Sequence, residues 1–510
     1  MDTGEWENRT ALPAAERNAV RLPKRPTIFE INTAVWLRRL GAEDGRGPLR
    51  LDEVPASAWD RLGSLGIDAV WLMGVGQRSA LGRELALADP GRMAAMRDAV
   101  PDLRDEDAIG SPYCVREYVV DERFGGNEAL AVAREELARR GLGLLLGFIP
   151  NHVAPDHAWL AERPELLIRG TEHDLLADPE SFIETPDGIF ARGRDPFFPA
   201  WPDVVQVNGF SPALREAHVE ILSMMAERCD GVRCDMAMLM CTDIFARTWG
   251  ERAGVIPDKE YWPEIIGAVK AQRPDFTFIA EAYWDTERQL QEQGFDYCYD
   301  KLLYDYLLDD DAEAARAHLR AGVGYQDKLL RFVENHDEPR ATTAFGPDRA
   351  RVAAVVTSML PGARLFHDGQ FDGLRTHVPV FLNRGPVEPA DPNTQEFYRR
   401  LLGAIADSGL RDAAWSIAEV SGWPDNDSQR NLVAWQWWGE AGSYVVIANL
   451  TAESAQARVH LTGDWAGRDW SLDDPINDQH FERSGDELAQ DGLYVDLAPW
   501  RFHFFAFTHR

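Results

Sequence analysis

Polar residues follow apolar, strand-like runs at four places in the middle of the chain. A single acidic residue after a strand is usually a helix cap or a solvated loop residue. Four such groups after successive strands are better explained by one shared site, because the carboxyl ends of parallel strands meet at one edge. The groups are Asn151 with His152, Arg233 with Asp235, Glu281 alone, and Asn335 with His336 and Asp337.

Arg233 and Asp235 are two residues apart in the strand-like run GVRCD. Side chains at this spacing point to the same face of a strand, so the two groups can form an ion pair. A neighbouring guanidinium lowers the pKa of a carboxyl group and keeps it ionised, as a nucleophile requires. A buried ion pair that only supports the fold is the alternative interpretation.

Glu281 ends the run FTFIAE and precedes Tyr283 and Trp284. An apolar, aromatic surrounding disfavours the ionised carboxylate, so we expect a raised pKa and a role as proton donor. Two carboxyl groups with different pKa values are typical of glycoside hydrolysis. A separation of about 5 to 5.5 Å would favour retention of the anomeric configuration through a covalent intermediate.

The elements that carry these residues predict an α/β fold, a (β/α)8 TIM barrel. Short β-rich runs alternate with longer amphipathic stretches, as in repeated βα units around a parallel sheet. In such a barrel, the chemistry lies at the carboxyl ends of the strands. The eight predicted strands are TIFEIN from Thr27, AVWLMGV from Ala69, LGLLLGFIP from Leu142, GVRCD from Gly231, FTFIAE from Phe276, DYCYD from Asp296, LLRFVEN from Leu329 and ARLFHDG from Ala363.

Two further segments depart from the βα pattern. The stretch 154–211, after the third strand, is rich in Pro, Asp and Phe and is predicted to be an inserted subdomain, subdomain B. Strand-like runs without helices between them follow the eighth repeat and predict a C-terminal antiparallel β-sandwich over 411–510. The catalytic barrel is then expected to comprise 1–153 and 212–410.

Composition excludes some classes of partner. The 510 residues carry 53 basic and 84 acidic side chains, a formal net charge of −31, which opposes binding to nucleic acid or to anionic membrane surfaces. The five cysteines include no CxxC pair, which favours reduced thiols, and the start MDTGEWENRT lacks the features of a secretory signal. We therefore expect a cytoplasmic protein, whose oligomeric state the sequence does not indicate.

Four strings, GFIPNH, GVRCD, FIAEAYW and FVENHDEP, occur in an order that resembles the short sequence regions of glycoside hydrolase family 13, the α-amylase family. WPDVVQVN resembles a fifth region, and SPYCVREY followed by FGG resembles the loop after the second strand. The resemblance covers most of the barrel. It implies a retaining glycoside hydrolase that acts on α-glucosidic bonds of maltooligosaccharides or related α-glucans.

The resemblance also implies roles for single residues. Asp235 would be the nucleophile that forms the glycosyl-enzyme intermediate, Glu281 the acid/base, and Asp337 the third catalytic carboxylate, which binds sugar hydroxyls. Arg233 would orient Asp235.

Three more residues resemble the family's substrate-binding positions. His152 and His336 would bind hydroxyls of the reacting sugar. Tyr113 would lie under that sugar as an aromatic platform, or would only anchor a loop on the barrel rim.

The chain departs from the family at Gly147, where most members have an aspartate. The loss leaves Arg233 with one partner fewer, so we expect reduced activity. Met238 and Leu239 replace a Lys-His pair of the family's amylases, so the contacts to the product must differ. An acceptor side made of Tyr283, Trp284 and Phe371 is one interpretation, and burial of two of them in the core is the other.

No cofactor is expected to be required, and calcium is possible. Asn151 and Asp203 match family positions associated with a structural calcium ion, but each is also an ordinary turn residue. They are weak calcium candidates, because the missing Lys-His pair helps to hold that ion in the family's amylases.

Alternatives to hydrolysis remain open. A transglycosylase, a sucrose-acting enzyme or a disaccharide isomerase of the same family would use the same residues. A non-catalytic scaffold that binds carbohydrate or a partner protein is the alternative from another class, because Gly147 breaks the usual set.

Overall fold

A computed structural model describes residues 19–509, and the prediction about the first ten residues lies outside this range. Eight parallel strands form a closed barrel in which each strand pairs with its neighbours in the sequence. Their residues are almost all buried, which explains the nearly continuous apolar runs. The strands are β1 (Thr27–Asn32), β2 (Ala69–Met73), β3 (Gly143–Phe148), β4 (Gly231–Cys234), β5 (Thr277–Ala280), β6 (Tyr297–Tyr299), β7 (Leu329–Arg331) and β8 (Ala363–His367).

Helices cover the outside of the barrel and pack their apolar faces on the strands. The helix after β1 begins directly after Asn32, whose side chain accepts a hydrogen bond from the Val35 N–H at 3.4 Å. The longer helices are Thr33–Glu43, Ala56–Ser64, Gly126–Arg139, Pro212–Ala226, Thr242–Trp249, Tyr261–Gln272, Lys301–Leu308, Ala312–Leu319, Pro347–Ser358 and Pro392–Asp407. The (β/α)8 barrel predicted from the sequence is confirmed.

Two long segments with secondary structure of their own follow the neighbouring barrel strands β2 and β3. The segment between β2 and β3 contains a strand pair, Gly76–Arg78 with Val115–Val120, and two helices, Ala80–Ala88 and Pro90–Ala99. The segment between β3 and β4 contains the hairpin Phe182–Thr185 and Gly188–Ala191 and corresponds to the predicted insertion. Its two ends meet where His152–Val153 pairs with Val205–Gln206.

The C-terminal part is an antiparallel β-sandwich of a six-stranded and a three-stranded sheet around an apolar core of its own. The domain limits 1–153 with 212–410, 154–211 and 411–510 stay a proposal. The strands are β9 (Ala414–Ile417), β10 (Glu419–Ser421), β11 (Leu432–Gly439), β12 (Gly442–Asn449), β13 (Ala455–His460), β14 (Asp469–Asp474), β15 (Gln479–Ser484), β16 (Leu493–Leu497) and β17 (Phe502–His509).

Candidate active site

Three carboxylates gather around the guanidinium of Arg233 at the carboxyl end of the barrel. Nη1 of Arg233 lies 2.5 Å from Oδ1 of Asp235, and Nη2 lies 2.7 Å from Oε1 of Glu281. Nη2 also lies 3.9 Å from Oδ2 of Asp337. Because one guanidinium contacts both Asp235 and Glu281, the two carboxyl groups lie well within the roughly 10 Å span that glycoside hydrolysis allows.

The guanidinium of Arg233 is held in an aromatic cage. Its carbon lies 5.4 Å from the ring centroid of Trp71 and 5.5 Å from those of Tyr113 and Tyr299. Arg233 is only 1% exposed. Burial and the three aromatic rings fix the position of the Arg233 guanidinium. It can therefore hold two carboxylates in a constant relative position.

Glu281 accepts hydrogen bonds from the N–H of Met236 at 2.5 Å and from the hydroxyl of Tyr283 at 3.0 Å. Met236 has a φ of 41°, in the left-handed region, and this conformation accompanies the contact of its N–H with Glu281. Burial raises the pKa of Glu281 to about 7 against the opposing effect of Arg233, and the nearby Asp235 adds to the rise. The direction is the one expected from the sequence for a proton donor.

A chain of hydrogen bonds connects Asp337 with the first strand. Nε2 of His336 lies 3.0 Å from Oδ2 of Asp337 and also contacts the hydroxyl of Tyr113. Nδ1 of His336 bonds to Oε1 of Glu30, which is completely buried within β1. The Asp337 side chain is 43% exposed, so the cluster opens to solvent.

The charges in this chain stabilise one another. Burial alone would lower the pKa of His336, but Asp337 and Glu30 outweigh it and raise the pKa to about 10. His336 and Arg233 outweigh the desolvation of the Asp337 carboxylate by its neighbours in the cluster and lower its pKa to about 2. His336 is therefore a cation and Asp337 an anion at neutral pH.

The other predicted substrate-binding residues lie in the same region. His152 is 5% exposed, and its buried Nδ1 has no hydrogen-bond partner among residues 19–509. The ring of Tyr113 is stacked on that of His336, with centroids 5.4 Å apart. Tyr113 thus lies between His336 and Arg233, and burial raises its pKa well above the usual value.

The position of Gly147 is open. A Cβ atom placed there meets no atom within 4 Å in the described part of the chain, and Gly147 is the β3 neighbour of Arg233 on β4. The space for an acidic side chain therefore exists beside Arg233.

The two weak calcium candidates do not fit a calcium ion. Oδ1 of Asn151 accepts a hydrogen bond from the Gln206 amide at 2.9 Å, and Oδ1 of Asp203 pairs with Nη2 of Arg92 at 3.0 Å. Within residues 19–509, no group of three or more acidic, histidine or cysteine side chains could hold a metal ion. An arginine cation already neutralises Asp203, so a divalent cation beside it would be repelled. We derive no calcium site from these residues.

One residue of the predicted acceptor side, Phe371, lies elsewhere. Phe371 is 7% exposed and packs against Phe29, Phe366 and Tyr398, so it belongs to the core. Tyr283 faces Glu281, and Trp284 alone of the three is exposed. Met238 and Leu239 are also buried, which explains their apolar character.

Sequence reasoning missed Glu30, Trp71 and Tyr299. Glu30 left a signal, because an acidic residue inside the apolar run TIFEIN must have a buried partner. Trp71 and Tyr299 are ordinary strand residues by type, and nothing local distinguishes them from the core.

Comparison with known proteins adds distant relatives. No family model matches the chain. It is 24% identical over 442 residues to the α-amylase MalA of Haloarcula japonica, an alignment that covers 84% of this chain and 55% of that protein. It is 20% identical over 312 residues to an intracellular maltogenic amylase of Bacillus subtilis, with 56% and 47% covered. The chain thus spans about half the length of these curated relatives.

A solved structure supports the fold. The maltogenic α-amylase AmyB of Thermotoga neapolitana superposes with a TM-score of 0.68 at 17% identity, over 95% of this chain and 99% of that one. The barrel, the ordered motifs and the sequence relatives all resemble those of glycoside hydrolase family 13, the α-amylase family.

Proposed function

We propose that the protein is a retaining glycosidase that cleaves or transfers α-glucosidic bonds of maltooligosaccharides or related α-glucans. The observation that carries this proposal is the pair of carboxyl groups of Asp235 and Glu281, held by Arg233 at 2.5 and 2.7 Å. The resemblance to the α-amylase family and the names of the amylase relatives support the substrate class.

The two carboxyl groups suit different steps. Asp235 pairs with a cation, so it can attack the anomeric carbon as an anion, and the bond to the leaving oxygen breaks as that oxygen takes the proton of Glu281. Glu281, with its pKa raised to about 7, then removes a proton from water or from a sugar hydroxyl that attacks the intermediate. Free Asp235 is regenerated.

Asp337 is placed to increase mainly the rate of bond cleavage. Its anionic carboxylate faces the same opening as the other two groups, and a hydrogen bond to a sugar 2-hydroxyl strengthens as positive charge develops in the transition state. His336 holds Asp337. His152 would bind a further hydroxyl through its ring, whose Nδ1 has no partner among residues 19–509.

Product analysis tests the proposal. Maltooligosaccharides, sucrose and trehalose are each incubated with the enzyme and the products are separated by chromatography, while proton NMR follows the anomer released first. We expect cleavage or transfer of maltooligosaccharides with release of the α-anomer. Release of the β-anomer, or turnover of sucrose or trehalose alone, would contradict the proposal as stated.

Single-residue variants with a matched control test whether Asp235 and Glu281 carry out the reaction. Asp235→Asn and Glu281→Gln should each lower kcat by roughly 10⁴-fold or more. Glu338→Gln is the control, because Glu338 lies next to Asp337 in the chain but pairs with Lys301 at 3.4 Å. Tight sugar binding without turnover by the wild type would favour the carbohydrate-binding scaffold instead.

A cytoplasmic location is also part of the proposal. All five cysteines are buried and unpaired. Reduced thiols suit the cytoplasm. No helix within residues 19–509 has the length and apolar character needed to cross a membrane.

A further inference from the structure

Arg78 is a buried arginine that contacts two loops at the mouth of the barrel. It ends the strand Gly76–Arg78 in the segment between β2 and β3 and is 5% exposed. Its Nη1 donates to two backbone carbonyls, that of Gly110 at 2.5 Å and that of Val380 at 3.2 Å. Nε and Nη2 have no hydrogen-bond partner among residues 19–509. A buried arginine usually pairs with an acidic group, but the guanidinium of Arg78 bonds only to the backbone of these loops.

The two carbonyls belong to loops that lie side by side. One is the Tyr113 loop, residues 105–113, and the other is the segment after β8, residues 377–382. The N–H of Ile109 donates to the carbonyl of Phe381 at 2.8 Å. Arg78 adds a connection between the next residue of the first loop, Gly110, and the preceding residue of the second, Val380. The relative position of the two loops therefore depends on this side chain.

Both loops contact His336. In the Tyr113 loop, the hydroxyl of Ser111 accepts a hydrogen bond from the N–H of Tyr113 at 3.1 Å. The ring of Tyr113 stacks on that of His336, and its hydroxyl contacts Nε2. In the segment after β8, Nε2 of His377 donates to the carbonyl of His336 at 2.7 Å. A change in the spacing of the loops would therefore move Tyr113 relative to His336.

We propose that Arg78 is a positioning residue, which ties the Tyr113 loop to the segment after β8 and so keeps Tyr113 against His336. The inference rests on the proposed function, in which His336 holds Asp337. Arginine suits the task because its planar guanidinium presents several N–H groups from one rigid centre. Arg78 acts on the reaction through Tyr113, without contact with the sugar.

A double-variant cycle tests the role with α-glucosyl fluoride, a donor that needs only the reacting subsite. Arg78→Met should lower kcat/KM by roughly 10- to 100-fold, because a small displacement of a group in the site is sufficient for such a loss. Arg78→Lys should recover most of the activity, since one ammonium group can donate to both carbonyls. In a Tyr113→Ala background, Arg78→Met should cause little further loss, because its effect passes through Tyr113.

Arg83→Met is the matched control. Arg83 donates to the carbonyls of Ala108 and Asp105 at 2.6 and 2.7 Å, so it holds the same loop from another side. In the described part of the chain, it has no hydrogen bond to the segment after β8. A contribution to loop stability alone would be shared by both arginines, whereas Arg83→Met should keep the wild-type kcat/KM.

The outcomes separate the positioning role from the proposed function. Losses that multiply in the double variant, or an equal loss in Arg83→Met, would overturn the role and leave the function intact. If Arg78→Met does not fold, Arg78→Gln replaces it in the same cycle. If the wild type does not turn over the donor, the proposed function fails, and the NMR signals of the His336 ring decide the inference. These signals should shift in Arg78→Met and not in Arg83→Met, and unchanged signals in both variants overturn it.

Discussion

Glu30 and His336, which are 306 residues apart in the chain, share a buried hydrogen bond between Oε1 and Nδ1. Glu30 lies within the first barrel strand, and His336 follows the seventh. With Asp337 on its other nitrogen, His336 keeps both protons and remains positively charged. Glu30 is thus a positioning residue that acts on Asp337 through His336.

Replacement of Glu30 by Gln should lower the pKa of His336 and slow the reaction. The loss of one charge-assisted hydrogen bond is worth about 1.5–3 kcal/mol, which corresponds to roughly 10- to 100-fold in kcat/KM. Kinetics and an NMR titration of the His336 ring measure the two effects. Glu30→Asp should recover part of the activity, and a wild-type pKa of His336 in Glu30→Gln would contradict the role.

The pKa of Glu281 predicts the alkaline side of the pH profile. The acid is active when protonated, so kcat/KM should fall as the pH rises through about 7. Tyr283→Phe removes a donor that favours ionised Glu281, so the pKa should rise and the fall should move to higher pH by up to about one unit. The pH profiles of kcat/KM for the wild type and for Tyr283→Phe test this prediction. A shift of the fall to lower pH in Tyr283→Phe would contradict it.

The sequence was sufficient for the barrel and for the three carboxylates because these features are local. Each barrel strand is an apolar run, Asp235 and Glu281 stand directly after two of them, and Asp337 lies in the segment that follows β7. The pairing of Glu30 with His336 and the ring contact of Phe197 with Trp284 join distant segments, which no local pattern specifies. Phe371 was a candidate acceptor residue because its type suits sugar binding, but its neighbours on β1 and β8 bury it.

Gly147→Asp should increase activity. The added side chain has space and would stand beside Arg233, where it gives the cation a further partner. A regained charge-assisted hydrogen bond of about 1.4 kcal/mol corresponds to a gain of about tenfold in kcat/KM. The hydrolysis rate of Gly147→Asp is compared with those of the wild type and of Gly147→Ala, which fills the space without adding a charge. Equal or lower turnover of Gly147→Asp would count against the explanation.

Arg92 should stabilise the insertion between β3 and β4 by pairing with Asp203, as a bound cation would. Its partner Asp203 is 4% exposed, so Arg92→Ala leaves a buried carboxylate without its cation at a cost of about 3 kcal/mol. We expect a lower midpoint of thermal unfolding, with part of the loss recovered in the double variant that adds Asp203→Asn. A chelator should leave the wild-type midpoint unchanged, and a clear drop would indicate a bound metal ion.

Trapping the covalent intermediate tests most directly whether Asp235 attacks the sugar while Glu281 supplies the proton. The enzyme is treated with a fluorinated glycosyl donor, digested and analysed by mass spectrometry. The account predicts one glycosyl adduct on the peptide that contains Asp235, and none in Asp235→Asn. An adduct on a different residue, or steady turnover of the donor by the Asp235→Asn variant, would contradict it.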